Sequence, residues 1–261
     1  MGHIRYEVDD GVATVTIDRP EKRNAMTYSV LREFIQAIWR ASDDPAARVV
    51  IVTGAGGAFC AGTDLAELDE TPEGDRGTAA RIDDPRSTEA WPLAACPKPV
   101  IAAVDGAAVG MGAEFATQCD VRIATDRARF GWVFVQRGLV PDTGAGSFLL
   151  PRLVGPTTAL RLLLSGELID AAEAARIGFV SQVVAVDDLA ETSRVEAERY
   201  LSSSPFAVAR TKRLVYEAMA GERSAHLLRN RSALEECFAS EDHAEGVRAF
   251  LERRPASFTG R

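Results

Sequence analysis

Two apolar runs, each opening into a glycine-rich stretch, constrain this chain more than any other feature. Val49-Val50-Ile51-Val52-Thr53 leads into Gly54 to Gly62, and Pro99-Val100-Ile101-Ala102-Ala103-Val104 leads into Gly106 to Gly112. Neither run has a polar face, so each reads as a strand buried on both sides. Glycine permits positive φ and lets a ligand approach the backbone closely. A loop that leaves a strand and enters a helix also points free N–H groups outward at the helix start. Two such loops that converge can bind one developing anion.

The remaining elements follow from periodicity. Ile4 to Val8 and Val12 to Ile17 alternate around Asp9-Asp10-Gly11 and predict a β-hairpin. Arg19 to Ala25 is a polar loop. Val30, Leu31, Phe34, Ile35 and Ile38 lie at helical spacing, and that helix stops near Asp43-Asp44-Pro45. Glu70 to Glu89, with Pro72, Gly74, Gly77 and Pro85, predicts a mobile loop. A helix is expected from about Gly112 to Gln118 and a short strand over Asp120 to Ala124. From Pro156 onward the pattern is mostly helical, with amphipathic segments at Leu189–Leu201, Pro205–Met219, Ser224–Phe238 and Glu241–Leu251. We therefore expect a core over residues 1–200 and a helical region over 201–261 that packs in an oligomer.

Bulk properties exclude several classes. At 261 residues, 46% hydrophobic and 26% charged, the chain needs no disulfides to build a core. Cys60, Cys96, Cys119 and Cys237 are widely spaced with no C-x-x-C pair, which argues against a disulfide framework or a zinc site and fits a reducing compartment. A net charge of −8 argues against nucleic acid as a partner. Met1 to Tyr6 lacks a signal-peptide pattern, and no run of about 18 apolar residues exists to span a membrane. The expected location is cytoplasmic.

A dinucleotide-binding reading of Gly54-x-Gly56 fails, because Phe59 stands at the third glycine position and Cys60-Ala61-Gly62 breaks any immediate helix. The two glycine loops, taken with Phe130 to Gly155, the Arg19-Pro20…Asn24-Ala25 loop and the tail Glu245 to Leu251, instead resemble the crotonase superfamily, the enoyl-CoA hydratase/isomerase family. The match covers nearly the whole chain. The resemblance implies an α/β fold, a spiral of repeated ββα units followed by C-terminal helices that trimerise. It also implies a homotrimer or a hexamer built as a dimer of trimers. No cofactor is expected to be bound permanently; coenzyme A enters as part of an acyl-CoA substrate.

By motif position, the resemblance implies that the backbone N–H groups of Thr63 and Met111 grip the thioester oxygen. Such bonds strengthen as charge moves onto an enolate oxygen, and losing one donor typically costs about 2.7–4 kcal/mol of barrier. Glu114, in the apolar turn Gly112-Ala113-Glu114-Phe115-Ala116, matches a catalytic glutamate of the hydratases. Their second glutamate follows the pair matching Phe130-Gly131, and here that position is Phe134. Asp142, in Leu139-Val140-Pro141-Asp142-Thr143-Gly144, matches an aspartate of dienoyl-CoA isomerases and of isomerases in phenylacetyl-CoA breakdown, where it shuttles a proton along the acyl chain. Pro-Asp-Thr-Gly is equally good turn or cap chemistry. For coenzyme A, Lys22, Arg23 and Ala25 and the turn Ala61 to Leu65, with Asp64, match segments that wrap the adenine and pantetheine. Arg253 matches a C-terminal basic position that meets phosphates in some members, whereas Ala66 replaces a lysine common in hydratases. Gly110 and Phe134 complete the expected substrate contacts.

Other residues read as structural. His3, His226 and His243 offer no metal spacing. Cys60 has no activating base beside it and reads as small apolar packing. Ser147 is not in a Gly-x-Ser-x-Gly elbow. Trp39, Trp91 and Trp132 read mainly as core, with Trp132 and Phe134 also placed to line an acyl pocket. The expected activity is hydration or double-bond isomerisation of an acyl-CoA. The rivals are another thioester reaction (hydrolysis, decarboxylation or carbon–carbon cleavage) and a non-catalytic acyl-CoA binding protein.

Overall fold

The computed structural model describes residues 2–64, 66, 91–219 and 221–261. Leu65 and the loop expected over Glu70 to Glu89 lie outside the described residues. A six-stranded sheet forms the frame. It contains β1 (Ile4–Asp9), β2 (Val12–Ile17), β3 (Val49–Gly54), β4 (Val100–Val104), β6 (Val121–Thr125) and β9 (Gln182–Val184), hydrogen-bonded in that order. The hairpin β1–β2 is antiparallel and every later pairing in this sheet is parallel. A second sheet holds three short strands, β5 (Ala107–Val109), β7 (Arg129–Gly131) and β8 (Ile169–Asp170).

The repeat is visible in how the chain moves between the two sheets. After β4 it enters β5, after β6 it enters β7, and after β3 it reaches Cys60, which bridges Ala108 of β5 in parallel. Each turn of the spiral thus places one long strand in the frame and one short segment beside the site.

Apolar alternation explains the uniform runs. Val50 and Val52 of β3 enter one core, with Phe34, Phe59, Phe115 and Phe130, while Val49 and Ile51 enter another, with Ile101, Ile123 and Leu189. Helix α1 (Tyr28–Asp43) covers the first face; the Thr27 hydroxyl caps it by accepting from the Val30 N–H at 3.2 Å. Helix α2 (Pro92–Ala95) is a single turn, and α3 (Met111–Gln118) follows β5 after Gly110. Phe34 of α1 meets Phe115 of α3 with ring centroids 4.7 Å apart.

Short helices α4 (Ala145–Phe148), α5 (Leu150–Val154) and α6 (Pro156–Ser165) pack on one another, and α7 (Ala171–Arg176) packs on β7 and β8. Helix α8 (Leu189–Leu201) closes the other face of the frame, with Leu189 and Ala197 buried against it. Helices α9 (Pro205–Ala218), α10 (Arg223–Phe238) and α11 (Glu241–Glu252) complete the chain. Helix α9 is tied to the core through Asp120, which accepts from Lys212 Nζ at 2.7 Å and from the Tyr216 hydroxyl at 3.0 Å. Among the described residues no helix is long and apolar enough to cross a membrane.

Candidate active site

The first glycine loop takes its shape from Asn24, thirty residues earlier. Asn24 is fully buried, and its amide donates to the carbonyls of Ala55 at 2.9 Å and Ala58 at 2.6 Å while its Oδ1 accepts from the Arg19 N–H at 2.8 Å. Arg19 adds a second clamp, donating from Nη1 to the Ala25 carbonyl at 3.0 Å and to the Asp64 carboxylate at 2.8 Å. The Ala61 N–H donates to the Arg23 carbonyl at 3.0 Å. The loop expected to wrap a ligand therefore also moulds the turn beside it.

The two glycine loops meet. Gly62 has φ +104°, and a β-carbon there would lie 2.9 Å from the Val109 carbonyl oxygen and 3.7 Å from the Met111 nitrogen. Only glycine allows that backbone and that approach. Met111 is the first residue of α3, where no intrahelical acceptor exists for its N–H. Among the described residues neither the Thr63 nor the Met111 N–H has a hydrogen-bond acceptor.

Both amides border a cavity of about 680 Å³. Tyr28, Leu31, Val133, Phe134 and Leu139 give it an apolar lining, Ala61 and Gly110 contribute backbone, and Asp142 supplies a carboxylate. Phe134 sits on a 3₁₀ turn over Val133–Arg137. Of the expected site residues, Ala61, Thr63, Gly110, Met111, Phe134 and Asp142 are brought together on this wall. Lys22 and Arg23 are exposed outside it, the Asp64 carboxylate is turned to Arg19, and Arg253 lies exposed at the end of α11. Trp132 does not line the cavity: it is fully buried and packs edge-on against Phe179 at 5.1 Å.

Glu114 lies behind the wall with no exposed surface, on the first turn of α3 three residues beyond Met111. Its Oε1 accepts from the Gly146 N–H at 2.8 Å and its Oε2 from the Thr143 hydroxyl at 2.6 Å. Burial pushes the carboxyl up to about 7; the Thr143 bond opposes that shift and the charge of Asp142 adds to it. Asp142 is exposed on the cavity wall, yet the packing around it displaces enough water to push its carboxyl up to about 6, against the bond it accepts from the Thr143 N–H at 2.8 Å. Two carboxyls flanking one threonine thus both titrate near neutrality.

Sequence reasoning missed the groups that hold Glu114. Thr143, Gly146 and Gln118 surround it, and Trp91 Nε1 donates to the Thr143 carbonyl at 2.8 Å. The available signal was spacing: Gln118 stands four residues after Glu114 on one helix face. Cys60 is buried within the first loop, which pushes its thiol up to about 12, so it holds no thiolate. Ser147 is exposed and spends its hydroxyl on the Gly144 carbonyl.

Comparison with known proteins agrees with this architecture. The family model for enoyl-CoA hydratase/isomerase matches residues 7–261, and the chain belongs to that family. It is 40% identical over 259 residues to a probable enoyl-CoA hydratase of Mycobacterium bovis, covering 99% of this chain and 98% of the relative. It is 35% identical to a 1,2-epoxyphenylacetyl-CoA isomerase of Escherichia coli, covering 100% of both. The crystal structure of an enoyl-CoA hydratase from Bacillus anthracis superposes with a TM-score of 0.91 at 32% identity, covering 99% of this chain and 100% of that one.

Proposed function

We propose that this hydratase/isomerase-type enzyme grips an acyl-CoA thioester oxygen between the Thr63 and Met111 N–H groups and moves a double bond along the acyl chain with Asp142 and Glu114. Charge that develops on the oxygen as the α-proton leaves is met by two fixed donors, which need no reorganisation. One of the two carboxyls accepts the proton from the carbon beside the carbonyl while the other donates one at the remote carbon; Glu114 stands one helical turn from the Met111 donor. Carboxyls that titrate near neutrality are matched to accepting and returning a proton.

The observation that carries isomerisation over hydration is Phe134, an apolar ring on the cavity wall where the two-glutamate hydratases place an acid. Hydration remains the second reading, because Glu114 and Asp142 are still two carboxyls at one site. Following the conjugated thioester absorbance separates them. A 3-enoyl-CoA that gains conjugation indicates isomerisation, and a 2-enoyl-CoA that loses it indicates water addition. Binding with neither change would leave an acyl-CoA carrier and sink both.

Coenzyme A is part of the substrate, and in this reading no other cofactor takes part. Lys22, Arg23 and Ala25 and the turn from Ala61 to Asp64 wrap its adenine and pantetheine, and Arg253 meets its phosphates from the tail. Residues 201–261 pack in a homotrimer or a dimer of trimers. Support comes from the apolar surface on α10 and α11, where Leu228 is 72% exposed, Phe250 82% and Leu251 74%. All four cysteines are unpaired, which supports a reducing compartment and a cytoplasmic location.

A further inference from the structure

Thr143 carries more hydrogen bonding than its place beside Asp142 suggests. Its hydroxyl donates to Glu114 Oε2 at 2.6 Å and accepts from the Ala145 N–H at 3.2 Å and from Gln118 Nε2 at 3.4 Å. A hydroxyl has one proton and two lone pairs, so this set is complete, and it suits a Glu114 that is ionised and only accepts. Once Glu114 holds a proton on Oε2 the set fails, because two hydrogens face each other across one gap. The hydroxyl must then accept from Glu114 and send its own proton elsewhere.

Gln118 offers the place. It is fully buried on α3, one turn beyond Glu114, and among the described residues its Oε1 has no hydrogen-bond partner. A half-turn of the amide exchanges Oε1 and Nε2. Oε1 gives up no bond in the exchange, and the carbonyl oxygen then faces Thr143 as an acceptor. Both sets are complete at the hydroxyl: donor to Glu114 in one, acceptor from Glu114 and donor to Gln118 in the other.

We propose that Thr143 and Gln118 are positioning residues forming a two-state hydrogen-bond set that holds Glu114 both with its proton and without it. A group that takes up and returns a proton in every turnover needs a partner for each state. The buried, unpartnered amide oxygen, otherwise a costly arrangement, is the acceptor that the second state requires. The catalytic meaning of this set rests on the reading of Glu114 given above. Of the titratable and charged groups around it, Asp142 faces Glu114 across Thr143. Among the described residues Arg137, on the cavity wall, and Cys60, within the first loop, form no hydrogen bond with the set.

The test is a titration of the Glu114 carboxyl by NMR in protein labelled with carbon-13 glutamate, the signal assigned by its loss in Glu114→Gln. Thr143→Val removes the side-chain donor to the carboxylate and should raise the midpoint. Gln118→Leu removes the acceptor used by the protonated state and should lower it. Shifts of about one pH unit, tenfold in proton affinity, are expected in opposite directions. Thr143→Ser keeps the hydroxyl and should restore the parent midpoint, and the acidic limb of kcat/KM should follow in each variant. If both midpoints move the same way, or neither moves, the two-state set is wrong. Thr143→Ala tests the same sign should the valine variant fail to fold. The NMR midpoint does not need turnover, so a fully active Glu114→Gln enzyme would overturn the catalytic reading alone.

Discussion

Gly62 and Met111 belong to loops that leave different strands, yet a β-carbon on Gly62 would stand 3.7 Å from the Met111 nitrogen. The backbone at that contact has φ +104°, a region in which side chains are strained by about 1–3 kcal/mol. Gly62→Ala should therefore push the loops apart and lower kcat by about 100-fold, the scale of a lost oxyanion donor. Steady-state assay with a 3-enoyl-CoA and a thermal melt measure the two effects; an unchanged kcat would place the grip elsewhere.

Replacing either acid tests the proton transfers directly. Asp142→Asn and Glu114→Gln should each reduce turnover by about tenfold or more. Near-normal rates in one variant would remove that residue from the mechanism and leave the other to act by itself.

Phe134 is a handle on reaction choice. Phe134→Glu puts a carboxyl where the two-glutamate hydratases carry one, and the ratio of hydrated to isomerised product should rise. Product analysis by chromatography reads it. A ratio that stays constant, with activity retained, would mean that residue 134 does not decide the outcome.

Burying Glu114 has a cost that depends on pH. Its folded-state carboxyl titrates near about 7, above the 4.5 of an unperturbed glutamate. Between those values the folded state holds a proton that the unfolded state has lost, so this group's contribution to stability falls as pH rises. The Glu114→Gln amide imitates the protonated acid, donating to Thr143, and should remove that dependence. The variant should gain on the order of 3 kcal/mol relative to the parent between pH 5 and pH 8, read by denaturant unfolding at both pH values. A constant difference would show that the parent does not hold the proton.

The Arg19–Asp64 pair braces the first loop from a partly buried position. Arg19→Met leaves the Asp64 carboxylate without its cation and should destabilise the fold by on the order of 2 kcal/mol. Because the loop it steadies borders the cavity, KM should rise more than kcat falls. An increase confined to unfolding, with KM unchanged, would make the brace purely architectural.

The long elements were legible in the sequence for reasons the structure makes plain. Val49 and Ile51 face one core and Val50 and Val52 the other, so β3 had to be apolar throughout. The amphipathic tail segments became α8 to α11 with bounds shifted by a residue at most. The second sheet was less visible, because Arg129–Gly131 and Ile169–Asp170 are too short to carry a period. The same holds at the site. The glycines announced the two loops, but Trp91 reaches Thr143 across 52 positions of the chain and leaves no local pattern. Asp64 reads as a ligand contact by position, while its side chain is spent on Arg19.

Asn24 supplies the last consequence. The contour of the turn at Ala55 to Ala58 is written by an amide that precedes α1 and β3 in the chain, not by the turn's own composition. A graft of that turn into another scaffold would lose its mould, and a deletion upstream of α1 would blunt the enzyme without touching a single group that meets the thioester.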